Sequence, residues 1–251
     1  MTYLLAGVLT FPITAALTIA GVGAAFVLIP VFTTLGINLH QAMAVALLLN
    51  ALAMISASVR YARKKLILWK LSLPLIITTI IGAPLGVRLG YAIDNVVLRI
   101  IFVGFLLFAA AMILFSKKKA DDDDDETVNL TVGRTIIAAL VGLAVGVLAG
   151  LIGVGGGNII LPILIALGIR PREAVGTTAV VVVFSSLSGF VSHVGAGELD
   201  YLLVLITAGA SIAGAIVGSW LMTDKLNPRM IKRILGVVLV GLAIKMIINL
   251  L

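Results

Sequence analysis

The sequence predicts an all-α integral membrane protein built as an inverted-topology repeat, each half a glycine-broken helix pair followed by three spanning helices. Three observations carry this expectation. Of 251 residues, 61% are hydrophobic and 12% charged, against roughly 45–50% and 25% in soluble domains. The two halves also match without a gap at a shift of 132 residues, Gly21-Val22-Gly23 falling on Gly153-Val154-Gly155, Pro30 on Pro162 and Leu35-Gly36-Ile37 on Leu167-Gly168-Ile169. Finally, Lys and Arg gather in opposite sets of loops in the two halves.

Residues 3–35 are almost continuously apolar, but Gly21 and Gly23 divide them into pieces shorter than the roughly 20 residues a helix needs to cross a bilayer. A helix, a break and a shorter helix result, forming either a re-entrant hairpin or two tilted spans. The amino terminus, Met1-Thr2-Tyr3-Leu4-Leu5, lacks the positive region of a cleaved signal and is expected to stay as membrane helix. Residues 41–60, 70–91 and 96–115 then read as three ordinary spans. Lys117-Lys118-Lys119 and the acidic run from Asp121 to Glu126 mark residues 116–131 as a solvated linker. The second half repeats the plan, with 133–168 broken at its glycines and spans at 174–193, 202–222 and 232–250. The division is thus repeat one at 1–115, a charged cytoplasmic linker at 116–131 and repeat two at 132–251. The same shift pairs Ser56 with Ser188, Gly82-Ala83 with Gly214-Ala215, Gly86 with Gly218 and Asn95 with Asn227. Chance similarity among apolar residues produces leucine and valine matches, not this alignment.

The loops orient the halves. Arg60, Arg63, Lys64, Lys65 and Lys70 surround one loop, whose counterpart near His193, Glu198 and Asp200 has no Lys or Arg. Conversely, Asn38-Leu39-His40-Gln41 is uncharged where Arg170-Pro171-Arg172-Glu173 is basic. By the positive-inside rule, the loops near residues 65, 118, 171 and 228 are expected in the cytoplasm and those near 39, 94 and 197 outside, with both termini outside. Equivalent loops then face opposite sides, which is an inverted repeat. Such repeats place substrate sites near the midplane, at discontinuous helices.

Several classes are excluded. The chain has no cysteine, so no disulfide, thiolate metal site or Cys nucleophile exists. Its net charge of +7 sits at the ends of apolar segments, not in a groove interleaved with aromatics, which disfavours nucleic acid. An intramembrane hydrolase needs a nucleophile with a base, paired carboxylates or clustered metal ligands. His40 and His193 both lie near expected outer ends, and all eleven acidic residues fall in the linker or near helix ends. No enzyme activity, cofactor or metal is expected. A cation-coupled carrier often keeps a carboxylate at a span centre, so its absence favours an anionic substrate.

Glycine takes positive φ cheaply and lets backbone approach a ligand closely. A short helix beginning at such a break has N–H groups with no partner in its own turn, and within lipid these must be satisfied. A small anion would satisfy them at the positive end of the helix dipole. The expected cradle is the backbone of Gly153, Gly155, Gly156, Gly157 and Asn158, with Gly21, Gly23, Ala24 and Ala25 as its weaker copy. Thr177 and Thr178 are the expected hydroxyl ligands. Asn50, Ser185 and Ser186 are further polar residues within the spans, though such hydroxyls equally serve their own helix backbone. Gly82, Gly86, Gly214 and Gly218 read as close-packing positions, Arg88 as a snorkelling side chain and His193 as a solvated or capping one.

The run Gly153 to Gly157, Pro162 and Leu167-Gly168, with Ala174-Val175-Gly176-Thr177-Thr178, resembles the TauE/SafE family of sulfite exporters. Gly197-Glu198-Leu199-Asp200-Tyr201 resembles a further element of that family, kept in half one only as Leu68-Trp69. Half one departs from the pattern, with Ala24 and Ala25 in place of glycines and Leu68 in place of Asp. The resemblance implies transport of sulfite or a small organosulfonate across the cytoplasmic membrane, described as export, and leaves proton coupling open. The alternative on the same architecture is a passive small-anion channel.

Overall fold

The structure is a computed structural model. It describes residues 2–90, 132–152, 155–194 and 200–227, with single helical positions at Met230, Arg233, Val237, Val240, Gly241 and Ile244. The span expected at 96–115, the linker at 116–131, most of the span expected at 232–250, residues 197–199 and Gly153 lie outside the described residues.

The described elements are all helical. They are α1 (Thr2–Ile19), α2 (Ala25–Thr34), α3 (Leu39–Arg63), α4 (Trp69–Gly90), α5 (Val132–Ile152), α6 (Gly157–Ala166), α7 (Pro171–Val194) and α8 (Tyr201–Trp220), which runs into a π-turn at Leu221–Lys225. The 132-residue shift carries α2 onto α6 at both ends, and carries the first residues of α3 and α4 onto those of α7 and α8. Among the described residues, four helices are long and apolar enough to cross a membrane: Gln41–Arg63, Trp69–Leu89, Pro171–Ser192 and Tyr201–Lys225.

Small residues bring the backbones together. Gly82 and Gly86 of α4 face Gly142, Gly146 and Gly150 of α5 so closely that a Cβ on Gly82 would stand 2.7 Å from the Leu143 carbonyl oxygen. This is the close approach that glycine stripes permit in membranes, where lipid supplies no hydrophobic drive between helices. The equivalent seam sets Gly214 and Gly218 of α8 against Phe11, Thr14, Ala15 and Thr18 of α1. There the shift replaces the α5 glycines with Thr10, Thr14 and Thr18, all fully buried. Thr10 satisfies its hydroxyl on the Ala6 carbonyl of its own helix at 2.6 Å.

These contacts fix directions. Residue numbers rise together along the α4–α5 and α1–α8 seams, so both pairs are parallel. Between α3 and α7 they run oppositely: Leu47 lies beside Gly189, Asn50 bonds Ser186 and Leu66 lies beside Gly176. α3 runs parallel to α8, with the Leu49 carbonyl accepting from Ser211 and Arg60 bonding Thr223. At one end of the bundle, Tyr3 donates to Asp200 and so ties the start of α1 to the start of α8. The other end collects Arg60, Arg63, Lys64, Lys65, Lys70, Arg170, Arg172 and Lys225 from the end of α3, the starts of α4 and α7 and the end of α8. Since α3 starts at the Tyr3 end, the α1–α2 pair leaves and returns to that end. The α5–α6 pair does the same at the basic end.

Candidate functional site

Both half-helices start in the interior. α2 begins after Ala24 and α6 after Gly156, and the chain reaches them through glycines with left-handed backbone. Gly21 and Gly23 have φ of +67° and +78°, Gly155 and Gly156 of +41° and +67°, a region that costs any residue with a Cβ roughly 1–2 kcal/mol. α2 runs towards the start of α3 and α6 towards the start of α7, and α3 and α7 are antiparallel. The two half-helices therefore diverge from a common centre, and the positive ends of their dipoles face that centre.

The two breaks touch. A Cβ on Gly157 would stand 2.5 Å from the Val22 carbonyl oxygen. Asn50, 1% exposed in the middle of α3, joins the halves through hydrogen bonds at both ends of its amide. Its Oδ1 accepts the Ala24 N–H at 2.6 Å, at the cap of α2, and its Nδ2 donates to Ser186 Oγ on α7 at 2.8 Å. The Ala24 donor assigns the amide orientation, since only the oxygen can accept there. Next to it, Ser185 Oγ donates to the Gly155 carbonyl at 2.6 Å. A Cβ on Gly155 would lie 2.5 Å from Ser186 Oγ and 2.7 Å from Asn50 Nδ2.

The sequence-predicted residues divide on this geometry. Gly21, Gly23, Ala24, Ala25, Gly155, Gly156 and Gly157 are buried at the breaks. Asn158 lies in the first turn of α6, its side chain outside the described residues. Thr177 is drawn elsewhere: its hydroxyl accepts the Leu68 N–H at 3.0 Å, holding the start of α4 about 12 Å along α7 from Ser185 at 1.5 Å per residue. Thr178 is different. Val175, Thr178 and Val182 share one face of α7, where Gly21 packs on Val175 and both Gly155 and Gly157 pack on Val182. Between them Thr178 is fully buried and its Oγ1 has no hydrogen-bond partner among the described residues. Leaving such a hydroxyl unmade costs about 1–3 kcal/mol, which a bound acceptor or donor would recover.

Asn50 and the serine pair emerge as the residues that assemble the site. A buried amide in mid-span was the available signal, but the repeat obscured it: the shift maps Asn50 to Val182, Ser185 to Ala53 and Ser186 to Met54. The described residues at the breaks present dipoles and hydroxyls with no ionisable side chain, and no cluster of metal-ligating residues occurs among the described residues. Such a site can hold and release a charged group.

Half-helices that start from a common centre inside a bundle of membrane-length helices recur in membrane transporters. The chain belongs to the sulfite exporter TauE/SafE family, whose family model matches residues 3–246. It is similar to the probable membrane transporter proteins YjnA and YdhB of Bacillus subtilis (strain 168). It is 39% identical to YjnA over 116 residues, which cover 44% of this chain and 46% of that protein. It is 27% identical to YdhB over 198 residues, or 78% and 80% of the two chains. A sulfite exporter TauE/SafE family protein 3 of Arabidopsis thaliana is 30% identical over 90 residues, covering 36% of this chain and 19% of that protein. No solved structure matches the chain. The protein is a multi-pass membrane transporter of the TauE/SafE type and not an enzyme.

Proposed function

We propose that the protein is a secondary transporter of a small sulfur-containing oxyanion, sulfite or an organosulfonate, and that the anion binds where α2 and α6 start. The observation that carries this reading is the convergence of both half-helix starts on Asn50, which takes the Ala24 N–H and lies against Gly155; the unpartnered buried hydroxyl of Thr178 lies further along α7, on the face that packs Gly21 and Gly157. An oxyanion held by N–H and O–H dipoles needs no counter-charge from the protein. It is therefore released more readily than from an ion pair in a low-dielectric interior.

The antiparallel packing of α3 on its own shifted copy α7 supports an inverted repeat with its axis in the membrane plane. The cation-rich end then lies in the cytoplasm, and rocking of one helix set on the other exposes the central site to each side in turn. Because the chain lacks cysteine, single cysteines at Lys65 and Asp200 report their sides directly with an impermeant maleimide. Labelling from opposite sides supports the inverted arrangement, and labelling from one side removes it.

Counterflow in proteoliposomes tests the function. Sulfite-loaded vesicles should accumulate labelled sulfite by exchange, with sulfate, sulfoacetate and formate as competitors and the pH gradient varied to expose proton coupling. Flux that neither saturates nor exchanges would instead establish the passive channel.

A further inference from the structure

A cavity of about 310 Å³ opens between the ends of α3 and α8, away from the helix breaks. The face of α3 that continues from Asn50 towards this end is closed by Ala53, Ala57 and Tyr61, all fully buried. None of the residues that line the cavity belongs to the helix breaks. Its lining combines the cations Arg60, Arg63 and Lys64 with the apolar Val59 and Ile216, and with Ser56 and Ser219.

The charge is incompletely compensated. Asp224 takes hydrogen bonds from both Arg60 and Lys64, which leaves three cations against one carboxylate. Arg63 is exposed and has no ion-pair partner among the described residues. The apolar side turns outward, with Val59 50% and Ile216 51% exposed, so in a bilayer it meets acyl chains. Trp220, next along α8 and 40% exposed, carries the Lys225 ammonium 5.5 Å from its ring centroid. An indole with a basic partner at a helix end marks the headgroup level of a membrane. Cations, a hydrocarbon-facing wall and headgroup depth thus coincide in one cavity.

We propose that this cavity binds an anionic phospholipid, its headgroup phosphate among Arg60, Arg63 and Lys64 and one acyl chain over Val59 and Ile216. Basic pockets between membrane helices recognise such headgroups. A soluble anion would use the cations but gain nothing from the apolar wall, so the combination selects a lipid.

The test uses the purified full chain in detergent, with lipid binding followed by native mass spectrometry and thermal unfolding. Phosphatidylglycerol should bind and raise the unfolding temperature, while phosphatidylcholine and glycerol phosphate should not. Arg63→Gln should weaken phosphatidylglycerol binding about fivefold, the scale of one surface charge on an anionic lipid. Arg63→Lys should restore most of it. Lys70→Gln, a nearby exposed cation outside the cavity, should leave it unchanged. Equal binding of phosphatidylcholine, equal binding of glycerol phosphate, or equal weakening by Lys70→Gln would each overturn the proposal.

Discussion

Asn50 Oδ1 accepts the Ala24 N–H at 2.6 Å while its Nδ2 donates to Ser186 Oγ at 2.8 Å, so one amide ties the start of α2 to the opposite half of the molecule. Asn50→Asp is nearly isosteric and keeps an acceptor for Ala24, but it places a negative charge where the anion is proposed to bind. Sulfite exchange in proteoliposomes should be lost in Asn50→Asp and reduced less in Asn50→Ser. An Asn50→Asp protein that exchanges sulfite at the wild-type rate would argue that the anion binds elsewhere.

Thr178 separates a binding role from a packing role. Its Oγ1 makes no hydrogen bond among the described residues, so Thr178→Val removes a buried polar atom and keeps the shape. The ligand-free protein should be as stable as wild type or more so, whereas sulfite affinity should fall by about tenfold, the worth of one hydrogen bond to a charged group. Thermal unfolding with and without sulfite measures both quantities on one sample.

The seam glycines differ from others in the same helices. A Cβ on Gly146 would stand 2.8 Å from the Thr79 backbone, and one on Gly218 3.0 Å from Thr18, whereas Gly209 has nothing within 4 Å. Gly209→Ala should stabilise by roughly 0.5–1 kcal/mol, the ordinary helix gain over glycine. Gly146→Ala should instead destabilise by about 1–3 kcal/mol, because the α4–α5 backbones must part. Unfolding midpoints that move the same way in both variants would deny the seam its role.

Acid should loosen the α1–α8 tie. The Tyr3 hydroxyl, and after it the amides of Leu203 and Leu202, hold the Asp200 carboxyl below the ordinary carboxylate value. A depressed folded pKa contributes stability that is present above the unfolded value, about 3.9 for Asp. That contribution is lost as pH falls through the lower folded value. Thermal stability should therefore decline below pH of about 4 and remain level from there towards neutral through this group. Asp200→Asn should flatten that acid limb.

The repeat made most of the fold legible. Two glycine breaks, two prolines and two Leu-Gly-Ile turns at one spacing placed α2 on α6 and the starts of α3 and α4 on those of α7 and α8. Whether the broken pairs cross or return was not legible, because apolar length alone cannot separate the two. The direction of the described helices comes from long-range contacts, the Tyr3–Asp200 tie, the parallel α3–α8 contact and the antiparallel α3–α7 contact. Of the candidate site, the glycine breaks were legible because they repeat, and the residues without a copy were not. Asn50 has Val182 as its copy, and Thr177 and Thr178 look equivalent in sequence although adjacent helix positions differ by 100°. That rotation sends Thr177 to Leu68 and leaves Thr178 over the breaks.

Selenite, the selenium analogue of sulfite, locates the anion directly through its anomalous scattering in crystals of the protein. The account expects one peak between the starts of α2 and α6, within hydrogen-bond distance, about 3 Å, of the break amides or the Asn50 and Thr178 side chains. A reproducible peak elsewhere in the bundle, with none at the breaks, would contradict it.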